Sequence, residues 1–146
     1  MNRAVLEDLT TDQCVDLLAA HGVGRIAIND DGWPVVFPVN YRVVDRGRHR
    51  WIAIRTRVDG ALDHPQARVA LQIDGIDPIR HVGWSVLARG ILHAVDEQAS
   101  DFAERFDPTP WAPDRDSWLV IEPIRITGRR IPGPQPEWGF SVRAYL

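Results

Sequence analysis

The chain has 146 residues, 45% of them hydrophobic, so it is long enough for one domain with a core of its own and too short for two ordinary domains. Its 17 basic and 20 acidic side chains leave a net charge of −3, which argues against a surface built to bind nucleic acid or anionic lipid. The one cysteine, Cys14, cannot form an internal disulfide, no apolar run approaches a membrane span, and the first residues are too acidic for a signal peptide. We therefore expect a cytoplasmic protein that binds neither nucleic acid nor a membrane.

The first predicted element is a helix between Thr10 and Gly22. Thr10 is suited to cap a helix, and Gln13, three residues later, completes the pattern of a capping box. The residues that then recur at helical spacing are Cys14, Leu17, Leu18 and His21. Because glycine commonly ends helices, the pattern predicts a short helix with one apolar face that stops at Gly22.

Six β-strands are predicted after this helix. They are "GRIAIN", "WPVVFPVNYRVV", "RWIAIRT", "RVALQID", "GWSVLARGILHAV" and "DSWLVIEPIRITGRRI". Asp31-Gly32 is a strong hairpin signal, and Gly47 marks a second turn. Many short strands joined by tight turns favour a small closed or partly closed antiparallel barrel over a βαβ fold.

A further helix is predicted over residues 97–106. The apolar residues that repeat there at i, i+3, i+4 and i+7 are Ala99, Phe102, Ala103 and Phe106. Pro108 ends the pattern. Beyond it, Trp111 and Trp118 are expected to pack the linker onto the barrel or, alternatively, to wall a pocket.

Alternation along the strands predicts which side chains enter the core. In "WIAIRT" the core face is Ile52, Ile54 and Thr56, and the opposite face is Trp51, Ala53 and Arg55. In "RVALQID" the core face is Val69, Leu71 and Ile73, and the outward residues are Ala70, Gln72 and Asp74. In "GWSVLARG", Ala88 and Gly90 share one side.

The second face of these strands is thus small near its middle and polar at its ends. Such a surface can admit a flat ligand or another subunit close to the backbone, and Ala53, Ala70 and Ala88 suggest a dimer contact. The alternative is that Ala53 and Ala70 lie beneath a helix.

Six segments together resemble the pyridoxamine 5′-phosphate oxidase-like family. "VGRIAI", "PVVFPVNY", "IRT" followed by a glycine and "AL", "VALQID", "GWSVLARG" and "ITGRRI" occur in the family's order and at roughly its spacing, from about residue 6 to residue 131. The resemblance implies a mainly β, α+β fold: a six-stranded antiparallel split β-barrel of Greek-key type with two or three peripheral helices. It also implies one flavin-binding domain over residues 1–146, with residues 132–146 as an extended C-terminal tail.

Family members are usually homodimers that bind FMN, or in some branches a deazaflavin, at the subunit interface. By resemblance, Val39 and Asn40 would offer hydrogen-bonding groups to the polar edge of the isoalloxazine ring, and the prolines of "PVVFPVNY" would mark where that strand lacks a neighbour. Arg55 and Thr56 match the family's phosphate-binding positions, where a guanidinium pairs two oxygens and a hydroxyl satisfies a third. The alternative for Arg55 is a solvated arginine at a strand end.

The chain departs from the family at one cofactor position. Many relatives have a phosphate-binding lysine where this sequence has Ala61, so one cation is missing unless Arg57 or another basic residue replaces it. From the other subunit, Trp84 and Ser85 would approach the cofactor, Trp84 near the ring and Ser85 at a polar group. Their ordinary interpretation is an interface or core aromatic beside a strand serine.

The remaining candidate residues and motifs give weaker indications of function. Arg129 and Arg130 could guide an anionic substrate, although arginines that end a strand are more often solvated edge residues. The five histidines have no i, i+4 pairing with a carboxylate and no cysteine partner, which argues against a metal site. The sequence has no GxSxG, Walker A or GxGxxG motif.

The family resemblance and the lack of an obvious acid, base or nucleophile predict a flavin-dependent oxidoreductase. In such an enzyme the cofactor supplies hydride transfer and the protein orients it against a small-molecule substrate, so we assign no catalytic side chain. Two alternatives stay open: a deazaflavin-dependent reductase and a non-catalytic flavin-binding or storage protein. The substrate is not indicated by the sequence.

Overall fold

The computed structural model describes residues 5–56, 66–95 and 117–133. One helix, α1 (Thr11–Ala20), and seven strands lie in these ranges. The strands are β1 (Glu7–Asp8), β2 (Val23–Asp30), β3 (Trp33–Arg46), β4 (His49–Thr56), β5 (Arg68–Asp77), β6 (Val82–Ala94) and β7 (Ser117–Ile131). The predicted helix over residues 97–106 and the predicted tail from residue 134 onward lie outside the described residues.

Strands β2 to β7 close into a six-stranded antiparallel ring. The neighbours run β7-β4-β3-β2-β5-β6, and β6 pairs with β7 to complete the circle. The order β5-β2-β3-β4 within that circle is a Greek key, because the fourth strand of the set returns beside the first. The predicted mainly β barrel is therefore confirmed, with the two-residue β1 added on the edge of β7 as a seventh strand.

Both predicted hairpin turns are present. Asp30 pairs with Trp33 across a two-residue turn, in which Asp31 has φ 50° and Gly32 has φ 81°. Positive φ at both central residues is the geometry that the sequence Asp-Gly favours. The second turn joins Arg46 to His49, with Gly47 at φ 63°.

The N-terminal helix has the predicted cap. Thr10 accepts a hydrogen bond from the Gln13 backbone at 3.1 Å, and the Thr10 backbone donates to Gln13 Oε1 at 2.9 Å. The buried residues of α1 are Cys14, Val15 and Leu18. The Tyr41 hydroxyl of β3 donates to the Leu18 carbonyl at 2.8 Å, which fixes the helix against the barrel.

Burial raises the pKa of Tyr41, so its hydroxyl stays protonated and available as a donor. Burial likewise raises the pKa of the Cys14 thiol, which keeps it in the unreactive protonated form.

The barrel interior is filled by the side chains that alternation assigned to it on β4 and β5. Ile52 and Ile54 are buried in the main core together with Val69, Leu71 and Ile73. A second apolar cluster lies outside the barrel and consists of Val44, Ala53 and Val120, with Trp51, Val95 and Trp118 packed against them. Ala53 is therefore covered by aromatic and aliphatic neighbours, none of which belongs to a helix in the described residues.

The expectation that Ala53, Ala70 and Ala88 form one outer surface is wrong. Ala88 and Gly90 do share a side of β6, but that side is the barrel interior, where Ala88 packs in the main core. Ala53 lies in the outer cluster, and only Ala70 is half-exposed on the outside. Alternation shows which residues share a face of a strand, but it does not show which face is buried. Both faces of β6 have small and large residues, so the pattern did not identify the inner face.

The prolines of β3 lie where this strand has a neighbour on one side only. Residues 33–40 pair with β2, whereas pairing with β4 begins at Tyr41. The Tyr41 backbone N–H donates to Gly22 on the β2 side, so the backbone of alternate residues such as Pro34 and Pro38 faces the other edge. A proline, which has no backbone N–H, therefore loses no hydrogen bond to a neighbouring strand there.

Within the described residues, the one helix is far too short to cross a membrane.

Candidate functional site

The predicted site residues of β3 and β4 lie at the point where the pairing between these two strands ends. Tyr41 and Ile54 are the last paired residues, so Asn40 and Arg55 are the next residues along the two strands, followed by Val39 and Thr56. Four of the seven predicted cofactor residues are thereby brought together in one chain. Ala61 lies outside the described residues.

Arg55 is held in place by an aromatic neighbour. It is half-buried, and its guanidinium carbon lies 5.5 Å from the centre of the Trp118 ring. Trp118 is opposite Arg55 in the β4–β7 ladder and packs against the outer apolar cluster. A guanidinium stacked in this way keeps its charge and its planar set of donors in a defined direction.

Val39 and Asn40 present different groups at the point of divergence. The Val39 side chain is buried in the core, and Val39 is opposite Gly24 in the β2–β3 ladder. Asn40 is half-buried and, being the neighbour of an inward-facing residue in a strand, points to the outer face. Arg55 also lies on the outer face, since Ile54 before it is a core residue.

Trp84 and Ser85 are neighbours on β6 and face opposite sides of this strand. Trp84 packs against the main core, with its ring centroid 5.0 Å from that of His21. A side chain at Gly75 would overlap the Trp84 indole, so glycine at that position makes room for it. Ser85 is opposite Asp74 and Arg129 in the neighbouring strands. These contacts give Trp84 a core role, and its approach to a cofactor stays a prediction.

The two groups of predicted residues lie three strands apart around the barrel. Asn40 is opposite Val23 of β2, the β2–β5 register places Val23 in line with Asp74, and Asp74 is opposite Ser85. At about 4.8 Å per strand, Asn40 and Ser85 are roughly 14 Å apart around the sheet.

The arginine pair at the end of β7 has carboxylate neighbours. Arg130 Nε donates to Glu7 Oε2 at 2.7 Å, and Arg129 Nε lies 3.9 Å from Asp8 Oδ1. Glu7 and Asp8 form β1, which pairs with β7 at these two arginines. The ion pairs explain why a two-residue strand attaches here, and they offset the charges that would guide an anionic substrate.

A cavity of about 450 Å³ adjoins Trp84 and Ser85. Its apolar lining includes Leu6, Ile76 and Ile131, all of which are exposed. Sequence analysis did not find these residues, because each is an isolated apolar side chain near the end of its segment. Only the pairing of β1, β5, β6 and β7 places them around Trp84.

Comparison with known proteins identifies the family. The family model described as pyridoxamine 5′-phosphate oxidase matches residues 10–130. An uncharacterized protein of Mycobacterium tuberculosis is 34% identical over 140 residues, which is 88% of this chain and 87% of that protein. The chain belongs to the pyridoxamine 5′-phosphate oxidase-like family.

Solved structures show the same fold. A FAD binding protein from Mycobacterium smegmatis superposes with a TM-score of 0.65 at 27% identity, covering 88% of this chain and all 100% of that one. A FAD-binding protein from Mesorhizobium loti superposes with a TM-score of 0.67 at 20% identity, covering 86% of this chain and 96% of that one. The fold is thus one found in flavin-binding proteins.

Proposed function

We propose that this protein is an FMN-dependent oxidoreductase that transfers a hydride to or from a small molecule. The observation that carries the proposal is the parting of β3 and β4, which leaves Asn40 and Arg55 side by side on the outer face of a family barrel. A bound flavin would supply the hydride chemistry, and the residues of this chain would bind and orient it.

The residues at this point fit the polar parts of the cofactor. Arg55, stacked on Trp118, offers a fixed cation to a phosphate, and the Asn40 amide offers both a donor and an acceptor to the edge of the flavin ring. Thr56 is the next residue of β4 and, by the family resemblance, is also a phosphate position. The Asn40–Arg55 neighbourhood therefore has the chemical groups for both ends of FMN.

A second copy of the chain would complete the site. The family resemblance implies that Trp84 and Ser85 reach the cofactor from a partner subunit. The outer face of β2 and β3 also has exposed apolar side chains, Val23 and Val36, that a second barrel would cover. We therefore propose a homodimer with the cofactor at the interface, in which these valines, and not Ala53 and Ala88, form part of the contact.

The dimer is tested by its mass in solution. Sedimentation equilibrium at micromolar concentration is expected to give twice the chain mass of 16.5 kDa, with and without FMN. Replacement of Val36 by aspartate, which adds a charge to the exposed face of β3, should shift the equilibrium toward the monomer. A purely monomeric wild-type protein would contradict both the dimer and the shared site.

The identity of the flavin is tested by titration. The M. smegmatis relative, which is described as binding FAD, makes FAD the second candidate. We expect saturable binding of FMN to the apoprotein, followed by flavin fluorescence and visible absorption, with riboflavin weaker because it lacks the phosphate that Arg55 would bind.

Parallel titrations with FAD and a deazaflavin distinguish the alternatives. Tighter binding of FAD than of FMN would replace the proposed cofactor, and a preference for the deazaflavin would favour a deazaflavin-dependent reductase. The absence of saturable binding for all four compounds would refute the proposed function.

A further inference from the structure

Two arginines face each other on the outer surface of β6 and β7. Arg89 and Arg125 are direct partners in this antiparallel ladder, and both side chains are exposed. Like charges that are opposite each other on neighbouring strands destabilise the sheet. The register shifts immediately beside this pair, between Arg89 and Gly90, and a bulge at such a position commonly redirects side chains.

A third arginine lies beside this pair. Arg89 is opposite Ala70 on β5, and Arg68 is two residues from Ala70 on the same face of that strand. Arg68, Arg89 and Arg125 line a cavity of about 560 Å³. The rest of its lining is apolar or glycine, and includes Ile91 and Ile124, of which Ile124 is 68% exposed.

This cluster differs from the ion pairs elsewhere on the surface. Arginines 25, 50, 80, 129 and 130 each lie within 4 Å of a carboxylate oxygen. Among residues 5–56, 66–95 and 117–133, no such ion pair is made by Arg68, Arg89 or Arg125, and no carboxylate lines the cavity that all three share. Asp8 and Glu122 line a second cavity that Arg89 and Arg125 adjoin. Three positive charges thus adjoin one cavity in a protein whose net charge is −3.

We infer that Arg68, Arg89 and Arg125 form a binding site for a phosphate-bearing small molecule, separate from the flavin phosphate position proposed at Arg55. Guanidinium groups pair phosphate oxygens in a planar, bidentate manner, and a phosphate or diphosphate has enough charge to offset the mutual repulsion of three arginines. A single carboxylate would leave most of that repulsion in place.

The cavity also indicates the rest of the ligand. Its volume is in the range of small-molecule sites, and Ile91, Ile124 and Ala70 provide apolar contact beside the charges. An organic phosphate whose non-polar part lies on these residues fits this combination. The site is on β5, β6 and β7, whereas Arg55 is on β4, so the inference does not depend on flavin binding.

Inorganic pyrophosphate is the probe for this site. We expect calorimetry at constant ionic strength to show that it binds the wild-type protein, and that Arg89→Gln and Arg125→Gln each weaken binding about tenfold or more. Pyrophosphate should also raise the Tm of the wild-type protein. Because each substitution removes a like-charge contact, each variant should have a higher Tm than wild type without pyrophosphate and gain little from its addition.

Two control variants make the result specific. Arg80→Gln removes the same charge at a site paired with Asp77, and Arg25→Gln removes it at a site paired with Asp74; both should keep wild-type pyrophosphate affinity. Four outcomes would overturn the inference. The first two are that pyrophosphate does not bind the wild-type protein at millimolar concentration, or that the control variants lose as much pyrophosphate affinity as the cluster variants. The third is that both cluster variants have a lower Tm than wild type without pyrophosphate. The fourth is that the cluster variants dissociate a dimer while their pyrophosphate affinity is unchanged.

Discussion

Replacement of Arg55 by alanine is expected to weaken FMN binding by about 1.5 to 3 kcal/mol, a factor of roughly 10 to 150, because a charge-assisted contact to the phosphate is lost. Riboflavin has no phosphate and should lose little affinity. Folding should be nearly unaffected, since Arg55 points away from the core residues Ile52 and Ile54 and stacks on the exterior Trp118. Fluorescence titration with both flavins measures the two affinities.

Arg50→Ala is the matched control for this experiment. Arg50 is on the same strand and has the same charge, but it pairs with Asp45 at 3.4 Å near the β3–β4 turn. Its loss should leave the affinities for FMN and riboflavin unchanged. If Arg55→Ala reduces the binding of both flavins alike, or of neither, then Arg55 is a strand-end arginine stacked on Trp118 and not a phosphate ligand.

Replacement of Gly90 by alanine is expected to reduce stability by about 3 kcal/mol and the Tm by roughly 10 °C. A Cβ at Gly90 would overlap the Glu122 carbonyl oxygen and lie 2.8 Å from Ile121 Cγ2. The first contact is with backbone, so relief would require β6 and β7 to move apart at the bulge. Thermal unfolding followed by circular dichroism measures the change.

Gly22→Ala serves as the control for Gly90. A Cβ at Gly22 would be 3.8 Å from its nearest neighbours, which is ordinary van der Waals contact. Since alanine also restricts the unfolded chain, this variant should be as stable as wild type or slightly more stable. Equal stability of the Gly90 variant and wild type would show that the two strands are not as close at the bulge as the structure indicates.

Local signals in the sequence were sufficient for much of the architecture. The capping box at Thr10, the Asp31-Gly32 turn and the alternation of β4 and β5 each depend on residues a few positions apart, and each is confirmed. These features are local because hydrogen bonds of a cap or turn and the pleat of a strand are set by neighbouring residues. Which face of β6 is buried depends on strands distant in sequence, and the prediction for that face was wrong.

The same difference between contacts that are local in sequence and contacts between distant strands applies to the candidate site. Sequence analysis selected Asn40 and Arg55, and the β3–β4 register brings them together because both strands are joined by one short turn. It did not reveal that Trp84 packs against the main core and His21, since these contacts depend on the position of β6, which pairs with β7 late in the chain. The opposition of Arg89 and Arg125 depends on the same late pairing and has no signal in either strand alone.

The position of β7 in the ring has a consequence for synthesis of the protein. This strand completes the ring between β4 and β6, and it also pairs with β1, which precedes it by more than a hundred residues. A nascent chain that ends before residue 117 would have unpaired edges on β4 and β6 and would lack Leu119 and Ile121 from the core. Barrel formation must therefore wait until residues 117–131 have left the ribosome, and contacts so distant in sequence form slowly. Until then the partial sheet is the species most exposed to aggregation, and chaperone demand should be greatest in that interval.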